Sequence, residues 1–306
     1  QPIRPTVWDS FIRGMPAWLT ALQGTPHLSI ETRDLIRPLP DPMPDFKWII
    51  HAAGIASPFF YRKYPLKTID ANINGLRNLL DYCVAQSDRG QPIEGFLFYS
   101  SSEIYGDPAP EWIPTPEHYR GFVSCTGPRA CYDESKRFGE TLCVVFAHQH
   151  GVPVAMARPF NNYGPGLKIT DGRVIPDFAR NILSGNDIVL YSDGRPTRTF
   201  CYAADAVTGY YKVLVKGHRG EPYNIGIETP EISMNDLAER LIAMARDLFA
   251  YRGQLVHKLS PEADYLVDNP SRRCPSIEKA RQHLGYHPGI SIDEGQRRSL
   301  VWYHHN

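Results

Sequence analysis

The stretch GFLFYSSSEIYG, residues 95–106, starts as an apolar run and breaks into hydroxyls and a carboxylate. A short apolar run bounded by small polar residues is the pattern of a strand covered on both faces, and such strands build parallel sheets. Upstream, KWIIHAAG (47–54) reads the same way, as a buried strand ending in small residues. Between the two, PLKTIDANINGLRNLLDYCV sets Leu66, Ile69, Ile73, Leu76, Leu80 and Cys83 at helical spacing. Downstream, GPRACYDESKRFGE (127–140) opens a second helix that Gly151 stops, and VPVAMARPFNNYGPG (152–166) is a third strand entering a Gly/Pro loop. Strand, helix, strand, helix, strand predicts an α/β protein with a doubly wound parallel sheet. Ligands in such sheets sit beyond the carboxyl ends of the strands, where Ala52–Ala53, Ser100–Glu103 and Pro159–Asn161 fall.

After residue 166 the texture changes to short helices and strands punctuated by Gly and Pro. The expected division is a Rossmann-like dinucleotide domain over 1–165, to which 195–215 returns, and a smaller α/β substrate lobe over 166–306. PLPDPMPD (38–45) reads as a surface loop. Thirty-three basic residues balance thirty-three acidic ones, which argues against nucleic-acid or membrane-surface partners. No apolar run approaches the roughly 20 residues of a membrane helix. Six Cys without CxxC spacing read as free thiols in a reducing compartment, which predicts a cytoplasmic protein. Eleven His show no metal-ligand spacing, so no metal is predicted.

One element of a dinucleotide fold is missing near the start: no GxGxxG or GxxGxxG occurs there to take a pyrophosphate on backbone amides. RPTVWDSFIRG nonetheless looks like the end of a second strand, with Asp9 placed to accept hydrogen bonds from an adenosine ribose. The expectation is that on the order of 25–30 residues, one strand and one helix, precede Gln1. The alternative is that Asp9 caps a loop.

Tyr132 and Lys136 stand four apart in the second helix, on one face and one turn from each other. YxxxK alone is a weak signal. Together with ASPFFYRKYPLKTIDANINGLRNLL (56–80), SSSEIYGDP (100–108), GPRACYDESKR (127–137), RPFNNYGPG with DGRVIPDF (158–178), GRPTRTFCY (194–202) and RRCPSIEKAR (272–281) it becomes specific. In these segments the chain resembles the extended short-chain dehydrogenase/reductases, and within them the UDP-glucuronate decarboxylases (UDP-xylose synthases).

That resemblance implies NAD as cofactor and a nucleotide-sugar acid as substrate. Tyr132 is then the base at the sugar 4-hydroxyl, Lys136 lowers its pKa and bonds the nicotinamide ribose, and Ser101 bonds the same hydroxyl. Glu103, with Arg198 close by, is expected to orient the C5 carboxylate and handle the proton, with Ser102 bonding that carboxylate and Tyr61 holding the same end of the sugar. Asn161, Arg198 and Arg273 match positions for the diphosphate. Asp9, Ala52, Ala53, Asn72 and Pro159 join Tyr132 and Lys136 on the cofactor side, Asn72 chiefly as scaffold. Helices near 65–85 and 130–150 imply a homodimer through a four-helix bundle, with Leu142, Val145 and Phe146 as apolar surface or, equally, core. Gly166, Ser135 and Ser276 depart from the pattern, where Arg, Gly and Asp are usual. A 4-epimerase, a 4,6-dehydratase and a non-catalytic sugar-nucleotide binding protein are the competing readings. Ser102 stands where the dehydratases carry an acidic Asp, which disfavours 6-dehydration.

Overall fold

A computed structural model describes residues 3–260 and 266–306. β-Branched and aromatic residues extend β1 (Thr6–Asp9), which pairs in parallel with β2 (Ser29–Thr32) across a one-turn helix α1 (Ala17–Thr20). β3 (Trp48–His51) leads into α2 (Pro58–Lys63) and the long α3 (Pro65–Asp88), each opened by a proline whose missing N–H costs a first turn nothing. β4 (Gly95–Tyr99) runs into a 3-10 turn, Ser102–Tyr105. α4 (Ala130–His150) ends where Gly151 takes φ 69°, and β5 (Val154–Pro159) follows.

Alternation along the strands explains why the sheet is covered twice. Phe96, Phe98, Val154 and Met156 point to one face and pack against Leu76, Leu80, Cys143 and Phe146 of α3 and α4. Leu97, Ala155 and Ala157 point to the other face.

The second half contributes β6 (Asn162–Tyr163), α5 (Val174–Leu183), β7 (Ile188–Leu190), β8 (Thr197–Arg198), β9 (Cys201–Tyr202), α6 (Ala203–Lys216) and β10 (Pro222–Ile225). It continues with β11 (Ile232–Ser233), α7 (Met234–Phe249), β12 (Leu255–His257), β13 (Arg272–Arg273), α8 (Glu278–Leu284) and α9 (Ile292–His305). α6 and β10 come back to the first half, giving a parallel sheet in the order β10-β5-β4-β3. The remaining pairings build a separate lobe: β7 with β12, β6 with β9, and a three-stranded sheet β11-β8-β13. Its core joins Phe178, Ile188, Leu237, Leu241 and Leu300.

One strand departs from expectation. β3 is buried on one face only: Ile49 and His51 face α3 and α4, while Trp48 and Ile50 remain 39% and 43% exposed. Among the described residues β3 pairs with β4 alone, and β1–β2 stand as their own two-stranded sheet, so β3 behaves as an edge.

Candidate active site

The sheet delivers its polar residues to one rim. Beyond β4, Ser101 is extended and its Oγ accepts the Glu103 amide at 3.2 Å, which starts the 3-10 turn and fixes where both side chains point. From the first turn of α4, Tyr132 comes near enough to Ser101 for the serine hydroxyl to pull its phenol down. One turn on, Lys136 Nζ donates to the Tyr99 carbonyl at 2.7 Å and lies 5.8 Å from the centre of the Tyr132 ring. Ser101, Tyr132 and Lys136 are all buried, and the structure brings the three together.

Burial sets the electrostatics of Tyr132 and Lys136. Burial pushes the Tyr132 phenol up to about 12, against a downward pull from the Ser101 hydroxyl. The same desolvation drops the Lys136 ammonium to about 7. In both residues burial favours the uncharged form.

Glu103 is the second centre. Arg273 Nη1 and Nη2 grip its two oxygens at 2.5 and 2.6 Å, and Arg129 donates to Oε2 from the other side. Burial alone would raise this carboxyl, but the two guanidinium groups overcome it and hold Glu103 down to about 2. Asp133 has no such fork. Burial and the neighbouring Glu103 charge lift it to about 8, with Arg129 Nε 3.7 Å away.

Arg198 stands close by, within reach of the Glu103 charge but without a bond to it. Arg198 is buried, and its guanidinium donates to the carbonyls of Thr197, Pro270 and Ser271, the closest at 2.6 Å. Burial and the neighbouring Arg273 lower it to about 9. Arg198 and Arg273 are register partners in the parallel pair β8–β13, so they sit side by side while only Arg273 forks onto Glu103.

Tyr61, on α2, lies flat on Tyr132 with ring centroids 5.0 Å apart. Its hydroxyl is buried with no hydrogen-bond partner among the described residues. Ser102 is buried beside Glu103. Asn161 adopts φ 42° and spends an amide N–H on the Thr199 carbonyl at 3.0 Å. Sequence reasoning singles out neither Arg129 nor Asp133, although both lie inside the GPRACYDE motif. Their only signal is a charged residue on each side of the Tyr.

The cofactor side fits a nicotinamide nucleotide at several points. A Cβ at Gly54 would fall 2.6 Å from Asn72 Oδ1 and 3.7 Å from Lys136 Nζ, so the Ala52–Ala53–Gly54 backbone comes close to both only because that residue is glycine. Asn72 is fully buried; its Nδ2 donates to Ser135 Oγ at 2.9 Å, and Ser135 in turn donates to the Tyr132 carbonyl. Asn72 Oδ1 is left without a partner among the described residues. A buried ammonium, an orphaned amide oxygen and a side-chain-free approach suit a ribose. Pro159 closes β5 on the same rim. Asp9 ends β1 exposed, its Oδ1 accepting the Phe11 amide at 2.7 Å, so it also shapes a turn.

Comparison with known proteins identifies the family. Residues 7–226 match the model of the NAD dependent epimerase/dehydratase family. UDP-glucuronic acid decarboxylase 3 of Arabidopsis thaliana is 35% identical over 289 residues, covering 94% of this chain and 78% of that protein. UDP-glucuronic acid decarboxylase 1 of Xenopus tropicalis is 35% identical, covering 97% of this chain and 66% of its own length. Among solved structures, a dTDP-glucose 4,6-dehydratase from Streptomyces venezuelae with NAD bound superposes with a TM-score of 0.81 at 24% identity, covering 98% of this chain and 87% of the other. A UDP-glucuronic acid 4-epimerase from Bacillus cereus, bound to UDP-glucuronic acid and NAD, gives 0.77 at 22%, covering 97% and 90%. At those identities the structural likeness speaks for the fold. With the two decarboxylase relatives, the family match and the Ser101–Tyr132–Lys136 rim all in agreement, the chain belongs to the NAD dependent epimerase/dehydratase family and, within it, to the UDP-glucuronic acid decarboxylases.

Proposed function

We propose that the protein decarboxylates a nucleotide-linked uronic acid, UDP-glucuronate giving UDP-xylose, by oxidation at C4, loss of CO2 and re-reduction at C4. The observation that carries this reading is the Glu103 carboxylate in the fork of Arg273, set beside the Tyr132–Ser101 pair. That fork has the geometry that recognises a carboxylate.

Asp9, Ala52, Ala53, Asn72, Lys136 and Pro159 would hold NAD. The bound cofactor supplies the hydride acceptor at C4 and, after CO2 is lost, the donor. Tyr132 Oη, once it has given up its own phenolic proton, takes the proton of the C4 hydroxyl, with Ser101 bonding the same oxygen. Because burial leaves the Lys136 ammonium near 7, that residue can yield a proton as readily as it holds one. Once C4 is a carbonyl, the acid on C5 is a β-keto acid. Departure of CO2 then places enolate charge on the C4 oxygen, where the Tyr132 and Ser101 hydroxyls donate hydrogen bonds. Arg273, expected at the diphosphate, forks onto Glu103 instead and would grip the acid before it leaves; Ser102 and Tyr61 line that end of the sugar, and Glu103 manages the proton that returns to C5. Asn161 and Arg198 serve the diphosphate end. A 4,6-dehydratase needs an acid where Ser102 stands, and a neutral hydroxyl gives none.

Incubation with UDP-glucuronate and NAD, followed by NMR, tests the reading. CO2 and a UDP-pentose are expected; a UDP-hexuronate epimer formed without gas would overturn it. A reducing, cytoplasmic setting accords with six unpaired cysteines. Among the described residues no helix is long and apolar enough to cross a membrane. The working unit we propose is a homodimer through α3 and α4, supported by Leu66, Phe138 and Val145, which are 74%, 48% and 38% exposed there. Phe146 is a core residue instead.

A further inference from the structure

Arg129 sits where three parts of the site meet. Its carbonyl accepts the amides of Tyr132 and Asp133 at 3.0 and 3.1 Å, so it starts the helical turn that carries Tyr132. Its guanidinium is buried, bonds Glu103 Oε2, and lies 5.9 Å from the Tyr61 ring that stacks on Tyr132. Arg129 comes from the sheet side of the cleft, and Arg273 comes from β13 in the other lobe. Glu103 is therefore held from both lobes at once.

The two arms are not equivalent. Arg273 spends both ends of its fork on Glu103, whereas Arg129 contributes one donor. A second carboxylate of the same shape can enter the Arg273 fork only by displacing Glu103 from it. A displaced carboxylate, buried beside Asp133 and the newcomer, needs another cation at once. Arg129 is already in contact.

Resting on the decarboxylase reading above, we propose that Arg129 is a positioning residue: it keeps Glu103 in place and ionised while Arg273 is handed from Glu103 to the acid group of the substrate. Without Arg129, Glu103 retains Arg273 and the uronic acid loses its fork. The protein's preference for an acidic sugar over a neutral one then depends on a residue that does not touch the sugar.

The test is binding to the NAD-loaded protein by calorimetry, in a Tyr132→Phe background so that nothing turns over. UDP-glucuronate and UDP-glucose are compared for the parent, Arg129→Met and Arg129→Lys. Arg129→Met should weaken UDP-glucuronate about tenfold or more and leave UDP-glucose within about twofold. Arg129→Lys, which restores the charge with a single donor, should recover part of the loss. Equal weakening of both ligands would mark Arg129 as ordinary scaffold and overturn the proposal, as would no change in either. If Arg129→Met does not fold, Arg129→Lys alone decides: a loss confined to the acidic ligand supports the exchange, and unchanged affinity overturns it. None of these measurements needs decarboxylation, so failure of the proposed reaction would show separately, as absent CO2 from the parent protein.

Discussion

The Tyr61 ring lies on the Tyr132 ring at 5.0 Å with planes 11° apart, which fixes the phenol plane from a different helix. The Tyr61 hydroxyl is buried and has no partner among the described residues, a state that costs stability unless a ligand supplies one. Tyr61→Phe should therefore leave the free protein as stable or up to about 1 kcal/mol more stable, while weakening substrate binding. Tyr61→Ala should cost roughly 3 kcal/mol and lower kcat, because the stack goes with the ring. Thermal unfolding without ligand, set beside KM and kcat, reads both. A Tyr61→Phe protein with normal KM would remove this hydroxyl from the sugar site.

Lys136 makes the free protein's stability rise with pH. Its ordinary value of 10.5 falls to about 7 in the fold, so between those values the unfolded chain binds more protons than the native one. Stability then climbs as pH goes up through that window. Tyr132, raised from 10.0 to about 12, works in the opposite sense only above 10. Asp133, raised from 3.8 to about 8, opposes it below 8, and Arg198, lowered from 12.5 to about 9, adds to it above 9, so the effect is cleanest from pH 8 to 9. Lys136→Met should flatten that part of the curve and be the more stable protein at pH 7. Parallel curves for the two proteins would refute this.

Much of the site was legible because helix geometry is local. Tyr132 and Lys136 share a face at any i, i+4 spacing, and Ser101 follows from a strand breaking into hydroxyls. The partner of Glu103 was not legible. Arg273 is 170 positions away, and it pairs in register with Arg198, so no spacing in the sequence decides which of the two turns onto the carboxylate. The apolar run of β3 misled for a similar reason: hydrophobicity predicts burial, yet Trp48 and Ile50 have no covering helix among the described residues. The buried network of Arg158, Glu140, Tyr105 and Asn224 beneath the rim carries no motif. Those four residues meet only after the sheet has formed.

Glu103 should be the acid-sensitive member. Its ordinary 4.5 falls to about 2, so its stabilisation is complete above 4.5 and disappears as pH drops to 2. Replacing it with Gln strands two buried guanidinium groups, Arg129 and Arg273, and should cost roughly 3 kcal/mol near pH 6. The gap between Glu103→Gln and the parent should narrow as pH falls towards 3, since the parent then loses the same charge. Activity should fall about 10²-fold or more through loss of proton handling. A stability gap independent of pH would mean that the carboxylate is not the paired anion.

The exposed stripe on α3 and α4 makes the last prediction. Leu66 is 74% exposed and Phe138 48%, on helices that pack against each other and against the sheet. On the homodimer proposed above, these side chains would be covered by the same helices of a second copy stacked about a twofold axis. Glu at Phe138 would place a charge in that contact without touching the core, so Phe138→Glu should be monomeric at micromolar concentration, with the parent at twice its mass by light scattering. Phe138 lies outside the core cluster, and the helix carrying Tyr132 is anchored mainly by Cys143 and Phe146 within it. The monomer should therefore keep a measurable turnover while unfolding several degrees lower, about 1–2 kcal/mol of lost mutual support. A parent that is itself monomeric, or a Phe138→Glu protein that remains dimeric, would locate the dimer contact elsewhere or nowhere.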